Sequence, residues 1–177
     1  NKGAASGYAS LDASTLIPLA QLGTGTANAR AVLGGDRTWQ QSENAVKITA
    51  DVSTSGTAFV DATGLSFSAD ANVDYMIEAW VLYTTALITT GIDLAVNGPA
   101  SPTALAGMSF GNPAVAAIVG REFNAYNTSG GALAAAITGN NIAMLRILFR
   151  NGANAGTFIL RFASGVNLSA VTVKAGS

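Results

Sequence analysis

Cysteine and histidine are both absent from this chain of 177 residues. Without cysteine there are no disulfides and no thiolate metal sites, and the redox compartment stays unread. Without histidine the usual general base is missing, together with both nucleophile–imidazole arrangements and the commonest transition-metal ligand. Charge is scarce too: 11% of the residues are charged, against about 25% in a typical soluble protein. A surface so poor in charge is either hidden in an assembly or solvated by Ser, Thr and Asn. The net charge is −1, with the basic residues spread along the chain. Neither nucleic acid nor an anionic membrane surface is therefore an expected partner.

Unbroken hydrophobic runs are missing as well. The longest uncharged run, residues 94–120, is interrupted by Asn97-Gly98-Pro99, Pro102 and Asn112-Pro113, which would leave backbone groups unpaired in lipid. The run at residues 79–92 falls short of the roughly 20 residues a spanning helix needs. No membrane insertion is expected. The chain begins with Asn and shows no signal-peptide pattern, so an N-terminus that was cleaved or trimmed is expected.

What is present changes character near Glu43. Residues 1–44 are rich in Gly, Ala, Ser and Thr, with Leu11, Leu16, Ile17, Leu22, Val32 and Leu33 following no period. At most a short helical turn is expected at residues 16–22, where Pro18 suits a first turn. Such a segment cannot bury itself alone. It is expected to be an extended, mostly irregular linker that packs against copies of itself, anchored by Trp39.

Residues 45–177 instead alternate β-branched and aromatic runs with turn signals such as "SADAN", "NGPASP" and "NTSGG". This rhythm predicts an all-β head, an antiparallel β-sandwich of jelly-roll-like kind. Strands are expected at 46–52, 57–60, 65–69, 73–84, 92–96, 105–110, 115–126, 133–137, 142–150, 157–163 and 170–174. The Ala-rich piece "GGALAAAITG" reads equally as helix or strand.

Two stretches carry more detail. In "IAMLRILFRNGANAGTFILRFA" the residues Leu145, Ile147, Phe149 and Phe158, Leu160, Phe162 define two apolar strand faces. Paired as a hairpin with Ile147 opposite Leu160, both faces enter one core. That register sets Arg146 opposite Arg161 on an outer face shared with Arg150. In "VDYMIEAWVLYTT" both faces are largely apolar, so this strand is expected to be covered on both sides. Trp80 then reads as a core residue, and Glu78 as a buried carboxylate paired with the arginine face.

Catalytic chemistry finds little support. A glycosidase needs two suitably placed carboxylates, but most of the ten acids lie beside small or hydroxyl residues, where Asp shapes turns. Asp61, Asp70 and Asp74 lack the ligand spacing of a calcium loop, and "QLGTGTANAR" lacks the pattern of a phosphate loop. No catalytic, cofactor-binding or metal residue is expected, and no cofactor.

Three phrases carry a resemblance: Gly7-Tyr8-Ala9-Ser10-Leu11-Asp12, Ile17-Pro18-Leu19-Ala20-Gln21-Leu22, and Leu33-Gly34-Gly35-Asp36-Arg37-Thr38-Trp39. Together they resemble a linker of tailed-bacteriophage virion proteins, namely tail fibres, minor tail proteins and head fibres. Arg37 stands where that linker usually has a second Gly. The remainder is similar to the β-rich heads that follow such linkers. The resemblance implies a homotrimer located in the virion, without chemistry of its own, that meets other virion proteins through residues 1–44. Host-surface adhesion to a glycan or protein is the expected role. Capsid decoration is the alternative and a polysaccharide-degrading enzyme a more distant one. The expected oligomer interface comprises Leu11, Leu16, Ile17, Leu22, Trp39, Glu78, Arg146, Arg150 and Arg161.

Overall fold

The computed structural model describes residues 45–111 and 118–177, and the backbone of 31–33 and 39–41. The chain divides into two units, Asn1–Ala45 and Val46–Ser177. In the first, β1 (Ala31–Leu33) and β2 (Trp39–Gln41) pair antiparallel, with Leu33 opposite Trp39. Leu11, Leu16, Ile17 and Leu22, and the helical turn expected at 16–22, lie outside the described residues.

The second unit is built from strands, with no helix among the described residues. They are β3 (Val52–Thr54), β4 (Val60–Ala69), β5 (Asp74–Thr85), β6 (Ile92–Asn97), β7 (Ala104–Gly111), β8 (Val119–Phe123), β9 (Asn141–Arg150), β10 (Gly156–Ser164) and β11 (Val171–Val173). Two antiparallel sheets result, ordered β3-β11-β5-β9-β7-β8 and β4-β10-β6. The pairing is nested: β3 lies beside β11, β4 beside β10 and β5 beside β9. The chain is thus a long hairpin wound on itself, its two arms crossing together from one sheet to the other.

Alternation drives this arrangement. On β5, Val81 and Tyr83 point inward, and on β9 Leu145, Ile147 and Phe149 do so; all five are buried. The small sheet contributes Leu94, Val96, Phe158, Leu160 and Phe162 to the same core. Each fully buried side chain of this size contributes about 1.5–3 kcal/mol relative to exposure. The inner side of β7 is unusual, since Gly107 and Gly111 alternate there with Leu105 and Ser109. Neighbours fill the space: a Cβ on Gly107 would lie 2.2 Å from the Phe123 ring, and one on Gly111 would lie 3.2 Å from Leu133.

The expected hairpin does not form. β9 pairs with β5 and β7, whereas β10 pairs with β4 and β6. Ile147 therefore lies opposite Ile77 and Gly107, not Leu160. The six apolar residues share a core as expected, but they face one another across it. Strand alternation cannot separate these arrangements, because both require the same inward residues. The crossing loop is fastened to its neighbours: Asn151 N–H donates to Val73 O at 3.1 Å, and Asn72 N–H to Gly152 O at 2.7 Å. Buried Asn151 adds Nδ2 donations to Asp70 O and Asn154 O.

Three strand expectations also change. Residues 46–51 form no strand; Ile48 is buried and exchanges backbone hydrogen bonds with Gly176 and Ser177. Nearby, Lys174 and the Ala175 N–H bond Asp51 and hold its carboxyl below the usual carboxylate range. Of the run at 57–60 only Val60 lies in a strand, and it continues through Gly64, whose φ of 106° suits glycine, into the run at 65–69 as β4. Residues 133–137 are neither helix nor strand, apart from a bridge between Leu133 and Ile92. The Asn141 amide accepts from the N–H groups of Ala136 and Ile137 and donates to the carbonyls of Ile137 and Gly139. Those backbone groups are thereby engaged by a side chain, in competition with a ladder.

Candidate interaction face

The outer side of the six-stranded sheet is assembled from residues that alternate with the core. Because β5, β9, β7 and β8 run side by side, their outward residues fall into rows. Asp74, Arg150 and Ala104 make the first; Met76, Leu148 and Ala106 the second. Glu78, Arg146, Met108 and Glu122 make the third, followed by Trp80, Met144, Phe110 and Gly120. Leu82 and Ile142 close the series. The row of Glu78, Arg146 and Glu122 is therefore flanked by apolar rows, with a second charged row, Asp74 and Arg150, at one end.

Exposure marks this side as unusual. Met76 is 86% exposed, Trp80 55%, Ile142 49% and Leu148 48%. Single exposed apolar residues need no explanation, but a contiguous group of them marks an interaction surface. Trp80 is thus not in the core, correcting the sequence-based expectation. The strand expected to be covered on both sides is covered by the sandwich on one side, and its other side lies open in the single chain.

The charged row has defined geometry. Arg146 Nη2 lies 2.7 Å from Glu78 Oε1, and both side chains are largely exposed, at 65% and 49%. Glu78 is therefore ion-paired as expected, but it is not buried. An open cleft of about 610 Å³ between Arg146 and Glu122 is lined by Ala106, Met108 and Asn124. A second, of about 380 Å³, lies on the other side of Arg146 beside Met76 and Leu148. Among the described residues Glu122 forms no ion pair. In the first row Arg150 Nε lies 3.0 Å from Asp74 Oδ2.

The expected arginine face divides in two. Arg146 and Arg150 lie on the large sheet, whereas Arg161 lies on the outer side of the small one. There Arg161 Nε meets Asp61 Oδ1 at 2.8 Å and Nη2 donates to Phe59 O at 2.8 Å, with Asn127 as a third partner. Arg161 stands opposite Asp61 and Ala95 in its sheet, not opposite Arg146. Of the expected interface residues, Glu78, Arg146 and Arg150 are brought together. Trp39 belongs to the separate first unit.

Sequence reasoning missed Met108 and Phe110 as members of this face. Their signal was an inverted pattern in "ALAGMSFG", where the inward positions after Leu105 are Gly, Ser and Gly while the larger side chains point outward. Of the acids, Asp74, Glu78, Asp93 and Glu122 stand in strands where strands were expected, whereas Asp61, expected between two strands, stands within β4. Among the described residues no group of three or more acids is placed to hold a metal ion, and no helix is long and apolar enough to cross a membrane. Compared with protein-family models, curated proteins and solved structures, the chain matches none.

Proposed function

We propose that this chain is a structural virion protein of a tailed bacteriophage, a homotrimeric fibre or spike whose head contacts the host surface. Residues 1–44 act as the trimerising and attaching linker. The sandwich, jelly-roll-like in its nested pairing, is the head. Loops at its ends meet a glycan or protein of the host. No catalysis, cofactor, nucleic acid or membrane insertion is part of this reading.

The observation that carries it is the pairing of Leu33 with Trp39 in a unit apart from the sandwich. These residues are the two ends of the third linker phrase, and that phrase precedes a β-rich head in the chain. The acids support the same reading, because Asp51, Asp61, Asp74 and Glu78 are each engaged by a separate cation.

Antibody labelling of purified particles, viewed by electron microscopy, tests the proposal. Label at the tail supports a fibre, and label over the capsid lattice supports the decoration alternative. Particles that carry no label overturn both. Release of reducing ends from host capsule by the purified chain would favour the enzymatic alternative.

A further inference from the structure

We propose that the outer face of the large sheet is the docking surface for a second copy of this chain, with Arg146 of one copy meeting Glu122 of the next. The identity of the occupant rests on the self-association proposed above. The existence of the face does not.

Composition argues for a protein occupant. Met76, Trp80, Phe110, Ile142 and Leu148 lie in adjoining rows around Arg146. Aromatic residues, Met and Arg are enriched where proteins meet, and Lys is depleted. Of the described lysines, Lys47 stands outside these rows, and Lys174 adjoins only the last of them, beside Leu82, with its side chain on Asp51.

Charge narrows the choice to a copy of itself. Asp74, Glu78 and Glu122 are set against Arg146 and Arg150 in these rows. A face so nearly balanced offers little to a strongly acidic or basic partner, since complementary potentials select partners of opposite sign. It does carry both halves of a contact. Arg146 and Glu122 share a row with β7 between them, about 10 Å apart at two strand spacings. The open cleft between them is walled by Met108. With the copies turning this face towards a common axis, Glu122 of one copy can lie beside Arg146 of the next while the apolar rows close around the pair. Arginine suits that role, because its guanidinium can hold two carboxylates at once.

Sedimentation analysis of the full chain tests the inference, with circular dichroism to verify the fold of each variant. The wild-type chain is expected to associate. Leu148→Glu sets a carboxylate between Arg146 and Arg150 on their own strand, where it competes for the guanidinium that the second copy's Glu122 needs, and should weaken association at least about tenfold. Thr157→Glu, on the outer side of the small sheet, should leave association unchanged. Glu122→Arg alone should weaken it. The triple variant Glu78→Arg, Arg146→Glu, Glu122→Arg inverts the whole row and should restore it. If wild type and Leu148→Glu associate equally, the face is not the interface, although self-association through residues 1–44 stands. A wild-type chain that is monomeric at every concentration overturns the self-association and this inference together. Particle labelling tests the virion assignment separately.

Discussion

The rings of Phe149 and Phe158 lie 4.8 Å apart at 40°, although they belong to different sheets. They anchor an aromatic cluster in which Phe149 also stacks on Tyr75 and Phe158 packs against Phe67. Only the short crossing loop separates their strands in sequence, yet the contact clamps one layer to the other. Phe149→Ala should therefore cost about 3–5 kcal/mol, combining lost burial with a cavity between the sheets. Urea unfolding measures this, and a loss below about 1 kcal/mol would contradict the packing.

Glu78→Gln should be mild. The ion pair with Arg146 is exposed on both sides, and exposed pairs contribute roughly 0.2–1 kcal/mol. For the monomeric fold the expected loss in chemical denaturation is no larger than that. A loss of several kcal/mol would mean that the face is buried under the conditions measured.

Asn141→Asp should cost more than its size suggests. Asn141 is buried, and its Nδ2 donates to two carbonyls at 2.7 and 2.8 Å. A carboxylate cannot donate there and would meet those carbonyl oxygens with negative charge. Leaving buried groups unsatisfied costs about 1–3 kcal/mol, and more when charge is involved. Asn141→Asp is expected to lower the melting midpoint at pH 7 and to recover partly at pH below about 4, where the carboxyl regains a proton.

Alkaline pH should act through Tyr83. Burial pushes its phenol up from 10.0 to about 12. Between these values the folded chain keeps a proton that the unfolded chain has released. This stabilisation is fully present below about pH 10 and is lost as pH rises towards about 12. Tyr126 is raised by burial in the same direction. Tyr83→Phe should flatten the decline in stability above pH 10, read as unfolding midpoints across that range. An unchanged slope would assign the decline elsewhere.

Much of the sandwich was legible because alternation in long strands reports burial directly. The inward residues of β9 and β10 follow from the two runs around "NGANAG", since a strand sends successive side chains to opposite faces, whereas the two apolar faces of "VDYMIEAWVLYTT" left the inward side of β5 open. That logic also directed Glu78 to the arginine-bearing strands, as the need of a mid-strand acid for a cation, without selecting Arg146 among them. It could not say which strands are neighbours. Leu145 and Phe162 belong to one core whether their strands pair edge to edge or stack face to face, and the sequence pattern is identical in both cases.

Only the tertiary structure decided between them. The loop around Asn151 is bonded to the loops before β5 and β7, which carries the chain from one sheet to the other and sends Arg161 away from Arg146. Tertiary packing also decided that "ALAAAI" forms an irregular loop, because the Asn141 amide engages its backbone, and that Trp80 is exposed while Gly107 points inward beneath Phe123. Periodicity along a strand is a local property written in consecutive residues. Strand partnership is a non-local choice, settled by which loops can be satisfied and which side chains fill the space between the layers.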